Sequence, residues 1–165
     1  MLRYLSLVAV LLAALLVACQ QASNGQKSLS EAERTEIEQA VMQRVNKLID
    51  VAEKVDTAWI TSMLAKKGDV RMGNQATLYK SADEILADFG PEFKNFRSQE
   101  IELTYSNTTV LAPELALFSG EGKFTATDTS GVTSPEYRFV WTFVLVAEEG
   151  DWKFMQLHQS FALAK

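Results

Sequence analysis

The sequence predicts a single α+β domain, with helices first and a mostly antiparallel sheet after them. Apolar residues recur every three or four positions from Ile37 to Val55, which is the period of a helix that faces a core. From Glu100 onward they recur at every second position, which is the period of a strand with one buried face. Helices followed by a run of strands indicate helices packed on one face of a curved sheet.

The first apolar stripe predicts a long helix and a shorter one after it. The long helix begins at a capping serine, either Ser28 or Ser30, and carries its stripe as far as Val55. A break is expected at Asp56-Thr57, where the Asp56 side chain can cap the second helix. Gly68-Asp69 then ends that second helix.

A hairpin and a third helix complete the first half of the domain. Residues 70–79 predict two short strands that turn at Gly73-Asn74. Ser81-Ala82-Asp83-Glu84 has the spacing of a capping box and predicts the start of the third helix. Gly90-Pro91 is expected to end it.

Four strands are predicted for the second half, joined as a meander. Their approximate ranges are 100–111, 115–127, 137–146 and 152–161. Gly120 and Gly122 lie two apart in the second of these strands. They predict a bend, a bulge, or a place where a bulky neighbour packs over bare backbone.

The first 18 residues resemble a bacterial lipoprotein signal peptide. Arg3 precedes an apolar run that is short for a membrane-spanning helix, and the run leads into Leu16-Val17-Ala18-Cys19, which resembles a lipobox. The resemblance implies cleavage before Cys19 and lipidation of that residue, which is the one cysteine of the chain. Residues 19–30 are mostly small and polar and predict a flexible tether. Gln20 favours delivery to the outer membrane, facing the periplasm, if the source is Gram-negative.

Charge and motif content exclude several classes of function. The chain has 16 basic and 21 acidic residues, and no basic patch interleaved with aromatic residues, so we expect no nucleic-acid partner. There is no G-x-S-x-G elbow, no phosphate-binding glycine loop and no His/Cys cluster. We therefore expect neither a metal nor another cofactor. The membrane is expected as a partner through the N-terminal lipid, and a homodimer remains open.

The order of elements and the C-terminal sequence resemble the nuclear transport factor 2-like superfamily, and within it the SnoaL-like domains. The residues that carry the resemblance are the acidic-glycine turn, tryptophan and His-x-Ser of 149–160, together with Asp56, Trp59 and Tyr79–Leu86 in the order usual for the family. The resemblance assigns residues 31–165 to one such domain. It implies a cone-like fold, in which a strongly curved sheet wraps around the first helix and leaves an internal pocket. Members of the family include isomerases, cyclases, hydrolases and dehydratases, binding or assembly modules without catalysis, and dimers formed through the outer sheet face.

His158 and Asp56 are the candidate catalytic residues. His158 is the one histidine, and its ordinary pKa suits a general base. By strand parity it should share a sheet face with Trp152, Phe154, Gln156 and Ser160. A hydrogen-bonded structural histidine and a helix-capping aspartate are the alternative interpretations of the two residues.

Nine residues are predicted to line the pocket, although ordinary core packing would explain most of them equally well. They are Trp59, Met63, Met72, Tyr79, Phe89, Phe93, Tyr105, Trp141 and Gln156. Because no clean catalytic set is evident, we favour a lipid-anchored module that binds a small apolar ligand without catalysis. The alternatives are an isomerase- or hydrolase-type enzyme that uses His158 with Asp56 or a pocket tyrosine, and a dimerising interaction module of the cell envelope.

Overall fold

The computed structural model describes residues 29–57, 62–66 and 70–164. The predicted signal peptide, Cys19 and most of the predicted tether lie outside these residues, as does Trp59. The first helix, α1, spans Glu31–Glu53. No helix in the described ranges is both long enough and apolar enough to cross a membrane.

Helix α1 ends in a left-handed residue that is not glycine. Val55 has a φ of 57°. Its N–H donates to the carbonyl oxygen of Ala52 (3.0 Å), and the N–H of Asp56 donates to that of Val51 (2.9 Å). This pair of bonds is the Schellman pattern, which usually places glycine at the left-handed position. The expected break near Asp56-Thr57 therefore lies at the end of α1.

The sheet has six strands in the order β2-β1-β6-β5-β4-β3. Their bounds are Arg71–Asn74 (β1), Thr77–Tyr79 (β2), Phe96–Ala112 (β3), Leu115–Asp128 (β4), Tyr137–Glu148 (β5) and Asp151–Leu163 (β6). The antiparallel meander from β3 to β6 is confirmed. A second pairing was not predicted: β1 runs parallel to β6, with Asn74 opposite Gln159.

Two predicted boundaries are wrong. The hairpin turns at Gln75-Ala76 rather than at Gly73-Asn74, because Gly73 pairs within β1 and Gln75 takes the left-handed φ of 54°. The third helix, α2, spans Ala82–Phe93 and passes through Pro91. Glycine at position 90 explains this, because a residue without Cβ relieves the clash that proline imposes on the residue before it.

The core lies between α1 and the concave face of the sheet. Val41, Val45 and Val51 face inward from α1, opposite large side chains such as Phe118 and Phe154. The helix runs alongside the edge strand β3. Arg34 of its first turns donates to the carbonyl oxygen of Val110 (3.3 Å), and Glu53 of its last turn accepts from the N–H of Ile101 (3.0 Å).

A charged pair joins the middle of α1 to the β5–β6 turn. The guanidinium of Arg44 is 8% exposed and forms an ion pair with Asp151, whose side chain is 47% exposed. Burial lowers the pKa of Arg44. The turn itself has positive φ at Glu149 (54°) and Gly150 (81°), as in a two-residue type I′ hairpin, so the tight turn predicted there is confirmed.

The two glycines of β4 allow close packing against bare backbone. A Cβ on Gly122 would lie 2.1 Å from the carbonyl oxygen of Glu102 and 2.6 Å from a ring carbon of Phe139. A Cβ on Gly120 would meet the Phe118 ring at 2.9 Å. The register of β3 against β4 shifts between Leu103 and Tyr105, next to these positions. Both predicted roles, an irregularity and close packing over bare backbone, are therefore confirmed.

Candidate functional site

A cavity of about 430 Å³ lies between α2, the end of α1 and the concave face of the sheet. Helix α2 forms one wall, and the paired ends of β3 to β6 form the other. The lining residues are mainly apolar: Leu48, Ala52, Leu64, Met72, Ile85, Leu86, Phe89, Gly90, Phe93, Phe96, Ile101, Phe124, Ala126, Tyr137, Phe139, Trp141, Phe143, Leu157 and Phe161, with the polar members Thr57, Asn74, Glu92, Gln99, Ser134 and Gln159.

The sheet wall of the cavity is largely aromatic. Phe139 stacks on Trp141 with ring centroids 4.2 Å apart, and Phe124 stacks on Tyr137 at 5.4 Å. Phe161 meets Phe124 edge-on at 5.7 Å. Phe161 is also 36% exposed, so this side of the wall reaches solvent. Fixed rings at such spacings favour flat apolar guests, which can stack on them or meet their edges.

The helix wall adds two more rings. Phe89 and Phe93 of α2 lie with centroids 6.2 Å apart, and Phe89 meets the edge of Tyr79 at 5.8 Å. Helix α2 presents this face because Ser81 caps its first turn, accepting from the N–H of Glu84 at 3.1 Å. Glu92, near the C-terminal end of α2, also lines the cavity and is exposed to solvent.

Asn74 and Gln159 form a polar spot in the cavity wall where β1 meets β6. The side-chain N–H of Gln159 donates to Oδ1 of Asn74 at 3.1 Å. Behind this pair, the Tyr79 hydroxyl donates to Asp88, and the Asn74 side chain lies close to the same hydroxyl. The hydrogen bond to Asp88, together with burial, raises the pKa of Tyr79 above its ordinary value.

A bulge in β6 decides which side chains reach the cavity. Leu145 of β5 pairs with Phe154 and Val144 pairs with Gln156, so Met155 is an extra residue. Trp152 and Phe154 are buried before the bulge. After it the phase is reversed, because Leu157, Gln159 and Phe161 line the cavity.

The predicted parity of the last strand is therefore wrong beyond Met155. Trp152 and Phe154 face inward, whereas Gln156 and His158 are exposed on the convex face. His158 covers the bare backbone of Gly73: a Cβ there would lie 2.7 Å from Nδ1 of the histidine. His158 and Gln156 do not line the cavity.

The other predicted residues have mixed positions. Met72, Phe89, Phe93 and Trp141 line the cavity. Met63 is fully buried in the core, and Tyr79 is buried behind Asn74. Tyr105 is 58% exposed, because β3 turns it away from the core. Asp56 follows the end of α1 beside the lining residue Thr57 but is not part of the lining.

Several lining residues were missed by sequence reasoning. Asn74 and Gln159 are brought together by the parallel β1–β6 pairing, which has no local sequence signal. Phe124, Phe139 and Phe161 were identified as strand residues but not as cavity residues. The parity of Trp141 could have identified Phe139, which lies two positions earlier on the same strand.

The chemical content of the cavity is limited. Within the described residues, the lining has one carboxylate, Glu92, and no histidine, aspartate, lysine or arginine. Among the residues that the structure describes, no group of three or more His, Cys, Asp or Glu side chains is arranged to hold a metal ion. The arrangement can therefore enclose an apolar molecule and offer it one oriented amide.

Comparison with known proteins identifies the domain type. The family model described as SnoaL-like domain matches residues 41–164. A nuclear transport factor 2-like superfamily protein from Salmonella enterica serovar Typhimurium has a similar solved structure, with a TM-score of 0.69 and 16% identity over 80% of this chain and 94% of that one. A search of curated proteins by sequence gives no significant match.

Two further solved structures have the same fold. A hexachlorocyclohexane dehydrochlorinase from Novosphingobium barchaimii gives a TM-score of 0.67 at 14% identity, over 82% of this chain and 93% of that one. A nuclear transport factor 2-like protein of unknown function from Pseudomonas putida gives 0.64 at 18% identity, over 76% and 87% respectively. At these identities the likeness establishes the fold and does not establish an activity.

Proposed function

The chain belongs to the SnoaL-like domain family, with the nuclear transport factor 2-like fold, and we propose that it binds a small apolar ligand in its cavity without catalysis. One observation carries the proposal: the cavity of about 430 Å³ is walled mainly by aromatic and aliphatic side chains and reaches solvent near Phe161 and Glu92. Ligand sites of this size and composition bind mainly through apolar burial.

The expected affinity follows from the area that a ligand can bury. A bicyclic aromatic molecule that loses about 200 Å² of apolar surface gains roughly 5 kcal/mol, at about 25 cal/mol per Å². The loss of translational and rotational freedom offsets part of this gain. Dissociation constants of about 0.2 mM or weaker are therefore expected for simple probes.

The proposal that catalysis is absent is supported by where the candidate groups lie. His158 is on the convex face over Gly73, and Asp56 is outside the lining. A general base must come within hydrogen-bond reach of the proton that it removes, directly or through one water. The dehydrochlorinase with the same fold acts on its own substrate, and at 14% identity its chemistry does not transfer to this chain.

Mass spectrometry of small molecules that copurify with the full chain tests the proposal. The full chain, purified from envelope membranes, is compared with Ala126→Phe, which places a ring in the cavity from a buried lining position. Val140→Phe is the matched control, because Val140 is 49% exposed on the convex face. We expect an apolar compound in the wild type and in Val140→Phe, and its loss in Ala126→Phe. Near-ultraviolet circular dichroism establishes that each variant is folded.

If no small molecule copurifies, the binding of an added probe shows whether the cavity takes up an apolar ligand. 2-Methylnaphthalene is dialysed against the full chain in phospholipid nanodiscs, with empty nanodiscs as the blank. Retention by the wild type above both the blank and Ala126→Phe supports the proposal. Equal retention in all three contradicts it.

We also propose that the domain is held to a membrane of the cell envelope by lipid on Cys19, on the outer membrane facing the periplasm if the source is Gram-negative. The lipobox-like Leu16-Val17-Ala18-Cys19 supports this. Mass spectrometry of the N-terminal peptide should show a diacylglyceryl group on Cys19, and Cys19→Ser should release the protein from membranes. An N-terminal peptide that begins at Met1 without lipid would refute the proposal.

A further inference from the structure

The amide of Gln159 is held in one orientation at the wall of the cavity. Its side-chain N–H donates to Oδ1 of Asn74 at 3.1 Å, and its own backbone carbonyl oxygen accepts from Gln75 at 3.0 Å. Gln159 is half-buried and lines the cavity together with Asn74. An oriented polar group on an otherwise apolar wall is the usual determinant of ligand specificity.

A carboxylate fixes the direction of this hydrogen-bond chain. Asp88 accepts the Tyr79 hydroxyl hydrogen, which leaves the Tyr79 oxygen as an acceptor toward the nearby side-chain N–H of Asn74. Oδ1 of Asn74 then faces Gln159 and accepts its N–H. An ionised carboxylate can only accept, so the relay has one direction.

This direction determines what Gln159 offers to a ligand. One of its two N–H hydrogens is used by Asn74, which leaves Oε1 as an acceptor and one N–H as a donor. A hydroxyl group can donate to the first and accept from the second. A carbonyl oxygen can use only the donor, and an apolar group can use neither.

The charge of the lining excludes one common ligand class. Within the described residues, Glu92 is the one charged group of the lining, and no cation faces the cavity. A carboxylate or phosphate would lose its hydration without gaining a compensating charge. Fatty acids and other anions are therefore poor ligands for this wall.

Resting on the proposed function, we propose that the cavity selects uncharged apolar molecules that carry a hydroxyl group, and that Gln159 recognises the hydroxyl. The Gln159 amide is held in this orientation by three positioning residues, which are Asn74, Tyr79 and Asp88. The ligand class is that of phenols and alicyclic alcohols of about the volume of the cavity.

Equilibrium dialysis with two probes of nearly equal shape tests this inference. 2-Naphthol and 2-methylnaphthalene are each dialysed against the full chain in phospholipid nanodiscs near neutral pH, with empty nanodiscs as the blank. Gln159→Leu should weaken 2-naphthol binding about fivefold or more, because the leucine removes both the acceptor and the donor and each neutral hydrogen bond contributes a factor of about five. It should leave 2-methylnaphthalene binding unchanged or stronger.

Gln156→Leu is the matched control. Gln156 lies on the same strand, β6, but it is exposed on the convex face and does not line the cavity. We expect both affinities to change by less than about twofold in this variant. Tyr79→Phe keeps the ring and breaks the relay, and it should weaken 2-naphthol about twofold without affecting 2-methylnaphthalene.

Each contrary outcome has a distinct meaning. If the wild type retains neither probe above the blank, the proposed function fails. If both probes bind and Gln159→Leu affects them equally, or no more than Gln156→Leu does, the role of Gln159 is refuted and the apolar site stands. Tighter binding of 2-naphthoate than of 2-naphthol would refute the exclusion of anions and with it the proposed ligand class.

Discussion

Replacing Gly122 with alanine should strongly destabilise the domain. Gly122 is buried in β4, and a Cβ there would lie 2.1 Å from the carbonyl oxygen of Glu102 and 2.6 Å from a ring carbon of Phe139. The phenylalanine ring can tilt, but the Glu102 carbonyl belongs to the backbone of β3. The substitution therefore has to displace a strand, and not only a side chain.

The expected magnitude follows from the contacts of three glycines. Overpacking typically costs 1–3 kcal/mol, and a backbone clash places Gly122→Ala near or above about 3 kcal/mol. Gly120→Ala meets side-chain atoms of Phe118 at 2.9 Å and Leu103 at 3.0 Å, so about 1 kcal/mol is expected. A Cβ on Gly90 meets nothing within 4 Å apart from its chain neighbours, but it restores the clash with Pro91, which offsets the helix-propensity gain of about 0.5–1 kcal/mol, so little net change is expected for Gly90→Ala.

Thermal unfolding followed by circular dichroism measures this series. At about 4 °C per kcal/mol for a domain of this size, Gly122→Ala should lower the melting temperature by about 12 °C, whereas Gly90→Ala should leave it within about 2 °C of the wild type. A melting temperature for Gly122→Ala within about 2 °C of the wild type would refute the close approach of β3, β4 and Phe139. It would also undermine the geometry of the cavity wall that Phe139 forms.

Three further perturbations test other contacts. Asp88→Asn should lower the pKa of Tyr79 toward its ordinary value of about 10. Because the pKa of Tyr79 is raised in the folded protein, the stabilisation is present below about pH 10 and is lost as the pH rises further. Identical ultraviolet absorbance titrations of the variant and the wild type would contradict this. Asp151→Asn should lower the free energy of unfolding in urea by about 1–2 kcal/mol, because the 8%-exposed guanidinium of Arg44 loses the carboxylate of Asp151. Adding Arg44→Met should recover part of the lost stability. If Asp151→Asn has no effect, the ion pair contributes little to stability. Val55→Gly should raise the free energy of unfolding by about 0.5–1 kcal/mol, because glycine adopts the φ of 57° without the steric strain of the valine side chain. A decrease in the free energy of unfolding would mean that the packing of the valine side chain outweighs this strain.

The elements with a strong local period were predictable. Helix α1 has its inward stripe at the predicted positions Val41 and Val45, and the four strands β3 to β6 have the predicted order. These patterns are visible in sequence because a buried face imposes one spacing on a helix and another on a strand. The turn at Glu149-Gly150 was predictable for the same local reason, since its backbone requires positive φ.

The features that build the polar spot were not predictable in this way. Asn74 meets Gln159 through parallel pairing between strands far apart in the chain, and the direction of their hydrogen bond depends on Asp88, which lies on a helix. Sequence parity instead directed attention to His158. A titratable residue is conspicuous in a sequence, whereas an amide becomes a candidate only when its partners are known.

The bulge at Met155 shows how one residue separates these two interpretations. In β6 the inward residues before the bulge, Trp152 and Phe154, are two apart, but the next inward residue, Leu157, comes after a gap of three. A strict period of two would place His158 in the cavity and Gln159 outside, whereas the observed strand does the reverse. The change in apolar spacing is the one trace of the bulge in the sequence. The chemistry offered to a ligand on this strand is consequently a neutral hydrogen-bonding amide instead of a base.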